Sequence, residues 1–194
     1  MTTEECLVSA IATKFNGIEY RSRLEARWAA FMHNIGWEHT YEPFDGNGYI
    51  PDFIVHGSAS LFIEVKPAVD QREFEAEVPK VDRGLSDYFR DALIVGATPF
   101  IKGRFGNAAH DAAGWLGEAQ EANDGSFTRS WDAAEWFRCM ECNTINVFHS
   151  LMSFNGRPCG HYDGDHHLGA APIGFMEGQW ADACNEVKWR GRAA

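Results

Sequence analysis

The sequence predicts an α/β fold over about its first hundred residues, and three observations carry that expectation. An apolar stripe with helical spacing lies near the N-terminus. Two short apolar runs follow, joined by a small polar loop. A third apolar run then comes after a charged stretch. The resulting order is helix, three strands, helix, strand, with a cysteine- and histidine-bearing tail behind it.

Residues 18–36 carry apolar side chains at Tyr20, Leu24, Trp28, Phe31 and Ile35. Steps of three and four line one face of an α-helix, and Gly36 supplies the stop. The stretch WEHTYEPF alternates weakly and predicts a strand ending at Pro43, and DGNG predicts a turn. YIPDFIV and LFIEVKP predict strands with HGSAS as their hairpin loop. The charged stretch Val69–Phe89 predicts a helix, with Pro79 and Gly84 as interruptions. ALIVGATPF predicts a short buried strand closed by Pro99. Residues 102–130, rich in Gly, Ala, Asn and Asp, predict an irregular connector, and WDAAEWF at 131–137 predicts one or two helical turns. The expected division is a core over 1–101, a connector with its helical segment over 102–136, and a tail over 137–194.

Bulk composition narrows the function classes. A hydrophobic share of 45% with 13% aromatic residues suffices for a packed core and excludes wholesale disorder. No apolar run approaches the roughly 20 residues that span a bilayer, and MTTEECLVSA lacks the basic start and apolar stretch of a secretory signal. A cytoplasmic protein without membrane association is therefore expected. The net charge of −11 excludes a general nucleic-acid coat, while leaving room for a local basic groove. Among five cysteines, Cys139 and Cys142 form a close pair. In a reducing compartment that spacing points to metal before disulfide.

The acids in the apolar runs are the most informative feature. A hairpin centred on Ser58 sets Val55 opposite Leu61, Ile54 opposite Phe62, and Asp52 opposite Glu64. Directly opposed side chains have Cβ atoms about 4.5–5.5 Å apart, and two carboxylates that close repel unless a cation joins them or one keeps its proton. Strand side chains alternate, so Glu64 and Lys66 share a face with Asp52. Hard oxygen ligands at this separation suit Mg²⁺ or Mn²⁺. Lys66 would then orient or deprotonate an attacking water, or steady developing charge. Glu25, at the border of the helix's apolar stripe, is within reach of the same place. The plainer alternative makes Asp52 the start of a turn and Glu64 with Lys66 a solvated strand face.

With these residues in view, the chain resembles the PD-(D/E)XK nuclease superfamily. The resemblance rests on Pro51–Asp52, on Glu64–Val65–Lys66, and on Glu25 within RSRLEARWA, and it covers about residues 18–100. It implies a restriction-endonuclease-like core, a central mixed sheet flanked by helices, in a small nuclease of the phage or mobile-element type. It also implies metal-dependent hydrolysis of DNA phosphodiesters, with Asp52, Glu64 and the Val65 carbonyl holding the metal. Lys66 would serve the attacking water, and Glu25 would assist the metal or its waters. Lys80 or Arg83 would contact the scissile phosphate, while Arg21, Arg23 and Arg27 would either hold the DNA backbone or form a solvated helix face. The Q-x-x-x-Y pair of recombination exonucleases is missing, since Glu75 follows Gln71 at that spacing. A homodimer is compatible with the resemblance, because many nucleases of this fold act in pairs.

The tail carries a second set. CMEC at 139–142 is followed by a spacer and by CGHYDGDHH at 159–167. Cys139, Cys142, Cys159 and His161 supply four tetrahedral ligands for Zn²⁺, in an arrangement that resembles a degenerate zinc ribbon and makes the tail a small zinc-binding subdomain. His149 is the alternative fourth ligand, with His166 or His167 behind it. Cys6 and Cys184 read as plain small hydrophobes. The expected role of the zinc is structural, since apolar residues are few there. The competing function is a catalytically silent scaffold or binding module of the same fold. A zinc hydrolase at 149–167 is a more distant third.

Overall fold

A computed structural model describes residues 11–45, 48–102, 105–106, 111–149, 156–161, 168–169 and 172–187. The chain opens with a hairpin of β1 (Thr13–Phe15) and β2 (Ile18–Tyr20), joined by Asn16 and Gly17, both at positive φ. That Asn-Gly pair suits the primed turns that match strand twist. The helix predicted over 18–36 therefore starts later, as α1 (Arg23–Asn34). Ser22 caps it by accepting from the Glu25 N–H at 3.1 Å, which satisfies one of the unpaired N–H groups of the first turn. Gly36, at φ +81°, ends the helical segment as expected.

Next come β3 (His39–Tyr41), β4 (Phe53–Val55), β5 (Leu61–Val65), α2 (Gln71–Gly84) and β6 (Ala92–Val95). The predicted order of helix, three strands, helix and strand is present. Helix α2 continues through Pro79 to Gly84 instead of breaking there. The hairpin register also matches, with Phe53 opposite Ile63, Ile54 opposite Phe62 and Val55 opposite Leu61.

Beyond residue 101 the outcome differs. Within the stretch expected as irregular, β7 (Ala112–Glu121) pairs antiparallel with β8 (Phe127–Cys139), and β8 includes the segment 131–137 expected as helical turns. Asp132, Ala134 and Trp136 alternate with Trp131, Ala133 and Glu135 along this strand, which β7 pairs as far as Glu135 and β9 from Ala134 onward. Long-range pairing outweighs the weak local preference of such an Ala-rich segment. Strands β9 (Ile145–His149) and β10 (Leu168–Gly169) also pair with β8, and α3 (Ile173–Glu186) follows.

Among the described residues the main sheet has eight strands, in the order β10-β8-β7-β6-β5-β4-β3 with β9 also on β8. Among the described strands of this sheet, only β5 and β6 are parallel, and α2 is the crossover between them. One face of the sheet packs Phe53, Ile63, Leu93 and Trp136 against Trp28, Phe31 and Met32 of α1 and Met176 of α3. The other packs Phe62, Ile94 and Trp115 against Phe74, Val81 and Leu85 from α2 and its C-terminal cap. Each fully buried aromatic or aliphatic side chain contributes about 1.5–3 kcal/mol relative to exposure. Buried indole N–H groups of Trp28, Trp37 and Trp136 reach the carbonyls of Gly96, Ile145 and Pro99 at 2.7–2.8 Å. Their polar atoms are thus satisfied within the apolar layer. Among the described residues, no helix is long and apolar enough to cross a membrane.

Candidate functional site

At the ends of β4 and β5 an open cleft of about 410 Å³ is lined by Arg21, Glu25, Tyr49, Asp52, Glu64, Lys66 and Lys80. Glu25 projects from the first turn of α1, where it accepts from Tyr41 Oη at 2.7 Å. Asp52 directly precedes β4, and its main-chain oxygen receives the Glu42 N–H at 2.9 Å. Its Oδ2 accepts from the Val65 N–H at 2.7 Å, so this side chain continues the hairpin where the backbone ladder stops. Glu64 is on β5, on the face that also carries Phe62 toward α2. Asp52 and Glu64 are 5% and 4% exposed, so both charges are drawn out of water.

Such groups need partners, and the cleft supplies them. Arg21 Nη2 lies 2.6 Å from Asp52 Oδ1, and its Nε lies 2.9 Å from Glu42 Oε1. Glu64 Oε1 receives Lys66 Nζ at 2.8 Å and Lys80 Nζ at 3.2 Å, while Tyr49 Oη donates to Oε2 at 2.7 Å. The balance differs between the two acids. Burial beside Glu64 lifts Asp52 to about 7, against the lowering effect of the Val65 N–H. Burial would raise Glu64 too, but Lys66, Tyr49 and Lys80 hold it below the usual carboxylate range. Lys66 is pushed down by burial, yet Glu64 and Glu77 outweigh that and keep its ammonium above its ordinary value. The Tyr49 hydroxyl is held protonated by burial and by Glu64.

The four expected catalytic residues, Glu25, Asp52, Glu64 and Lys66, therefore line one cleft, together with Val65. Of the basic residues expected near nucleic acid, Arg21 and Lys80 line it too. Arg23 and Arg27 do not, and their Nε atoms are buried. Arg83 is exposed on α2, away from the lining. The sequence does not mark Tyr49 or Tyr41: YIPDF places Tyr49 three positions before Asp52, but nothing local makes its hydroxyl a partner of Glu64. The cleft thus holds two buried carboxylates, Asp52 and Glu64, with the Glu25 carboxylate on the same lining.

The second set also converges. Ligand atoms of Cys139, Cys142, Cys159 and His161 all lie within 4.8 Å of one another. Cys139 ends β8, and Cys142 sits in the turn before β9. His161 Nδ1 lies 3.4 Å from Cys139 Sγ, and its Nε2 faces Glu141 Oε1 at 3.9 Å. Burial would raise the Cys142 thiol, but hydrogen bonds at Thr144 bring it down to about 6. Burial pushes the Cys159 thiol up to about 12, and the neighbouring Cys139 and Cys142 sulfurs add to the rise. This Cys3His cluster could bind a metal ion such as zinc. His149, the alternative ligand, belongs to the far end of β9 opposite Ala134 and is outside the cluster. His166, His167 and Cys6 lie outside the described residues. Cys184 is on α3, apart from the cluster. No family model, curated protein or solved structure matches the chain.

Proposed function

We propose that the cleft is the active site of a divalent-metal-dependent nuclease with a restriction-endonuclease-like core that hydrolyses DNA phosphodiester bonds. The observation that carries this reading is the convergence of Glu25, Asp52, Glu64 and Lys66 on one open cleft, with both hairpin acids buried. Asp52, Glu64 and the Val65 carbonyl would hold Mg²⁺ or Mn²⁺, which when bound supplies charge neutralisation at a phosphate oxygen and polarisation of water. Tyr49 and Lys80 orient the Glu64 carboxylate through its two oxygens. Lys66 keeps its proton at neutral pH, so its supported role is to steady negative charge on the reacting phosphate rather than to act as a base. Arg21, Lys66 and Lys80 give a phosphate backbone three cations in an otherwise acidic molecule. Zn²⁺ at the Cys3His cluster is structural, because four protein ligands leave no open position for chemistry.

The test is cleavage of plasmid, linear, branched and single-stranded DNA in Mg²⁺ or Mn²⁺. Asp52→Ala and Lys66→Ala are each expected to lower the rate at least about a hundredfold, with circular dichroism showing the fold retained. Intact DNA in every form under both metals would overturn the reading. A second reading, a catalytically silent scaffold or binding module, is favoured by one observation: each oxygen of Asp52 and Glu64 already carries a protein donor. DNA or protein binding without cleavage, retained in Asp52→Ala, would support it.

A further inference from the structure

We infer that zinc bound by Cys139, Cys142, Cys159 and His161 is a clamp. It seats the 156–161 segment against the turn between β4 and β5, and so braces the hairpin that carries the acids of the cleft. This rests on the zinc assignment above and is independent of whether DNA is cut.

The ligands come from two separate pieces of chain. Cys139 and Cys142 bracket the turn from β8 to β9, and Cys159 and His161 lie in the 156–161 segment. Zinc–sulfur bonds of about 2.3 Å in a tetrahedron put neighbouring ligand atoms about 3.8 Å apart. The observed spread of 4.8 Å or less therefore needs only a small contraction. The 156–161 segment is a closed loop: the Gly156 N–H donates to His161 O at 3.0 Å, and the Gly160 N–H donates to Gly156 O at 2.6 Å. Two backbone hydrogen bonds between Val147 and Arg157 tie it to β9, and the Cys159 N–H reaches the buried Asn146 Oδ1 at 2.9 Å.

The same loop touches the hairpin. Within the turn at 57–60 the contacts are local, between Gly57 and Ser60. The Ala59 N–H instead leaves the hairpin and donates to Pro158 O at 3.0 Å. A Cβ on Gly57 would collide with that same Pro158 carbonyl, and one on Gly160 would lie 2.9 Å from Ser58 Cβ. Two glycines thus allow the two backbones to meet. Arg157 extends the grip to the ends of β6 and β7 through Asp91 and Glu118. Of the loop's own residues, GRPCGH, only Pro158 brings an apolar side chain that is not a ligand, so the metal adds restraint to the polar contacts that hold it.

Three measurements on the full chain test the clamp. Metal analysis of purified protein is expected to give one zinc per chain, lost in Cys142→Ser. Chelation is expected to speed hydrogen exchange at the Ala59 amide about tenfold or more while α1 amides hold, as local opening does. Because coupling is reciprocal, Gly57→Ala, which touches no ligand, should weaken zinc affinity by a similar factor in competition with a chromophoric chelator. Absence of zinc from the wild-type chain would overturn the zinc assignment and the clamp together. Bound zinc whose removal leaves Ala59 exchange unmoved, with Gly57→Ala binding zinc within about twofold of wild type, would overturn the clamp and leave the assignment standing. An exchange increase shared equally by α1 would make zinc a global stabiliser and overturn the local clamp as well.

Discussion

Asp52 and Glu64 share a cleft yet are shifted in opposite directions, and the donors around each explain why. Glu64 collects two ammonium groups and a phenol, which together overcome its burial. Asp52 has the Val65 N–H and the Arg21 guanidinium, and burial beside Glu64 still raises it to about 7. An unfolded Asp titrates near 3.9, so between about pH 4 and pH 7 the folded chain binds the extra proton. Stability from this group is fully present below that window and is lost as pH rises through it. A shift of about three units sets an upper bound of about 4 kcal/mol on the loss. Glu64 works the other way, but its effect falls below the unfolded Glu value near 4.3. Urea unfolding in magnesium-free buffer is therefore expected to show a falling stability from pH 5 to pH 8 that Asp52→Asn largely removes. Parallel pH profiles for the two proteins would reject this account of the pair.

At the scale of elements, the hairpin was legible because its two signals are local. A period of two fixes which side chains share a face, and a short polar loop sets the register, so Asp52, Glu64 and Lys66 were found together. Strand β8 was not legible: WDAAEWF has no strong preference of its own, and its pairing with β7 and β9 depends on residues that are distant in sequence. The Cys3His set is readable from spacing, whereas no local signal marks α3 or Tyr49. Tyr49 reaches Glu64 from outside the hairpin, and α2 packs on it at Gly84, where a Cβ would collide with the tyrosine ring. Gly84→Ala is accordingly expected to destabilise by about 1–3 kcal/mol through overpacking. Tyr49→Phe should cost about 1–3 kcal/mol by leaving a buried Glu64 oxygen without its donor. If the helix positions the ring, the double mutant will fall short of the sum by at least about 1 kcal/mol. Additivity within about 0.5 kcal/mol would show that α2 does not hold Tyr49 in place.

Charge sets the behaviour of the whole molecule. A net charge of −11 repels a polyanion at long range, and the cations that line the cleft are Arg21, Lys66 and Lys80. Each phosphate neutralised on duplex DNA releases counterions, and log affinity falls against log salt with a slope of about −0.9 per contact. Three contacts give a slope near −3 at most, far shallower than for a protein gripping DNA along a basic face. All three cations are also engaged with carboxylates, which a phosphate must displace unless a divalent ion takes the acids first. Duplex binding followed by fluorescence anisotropy with Asp52→Ala, which removes the main partner of Arg21, should therefore be tighter than wild type in metal-free buffer. Its salt slope should remain between about −2 and −3. A slope steeper than about −6 would mean that DNA engages a second basic surface outside the cleft, so that cleavage geometry would have to be sought around that surface instead.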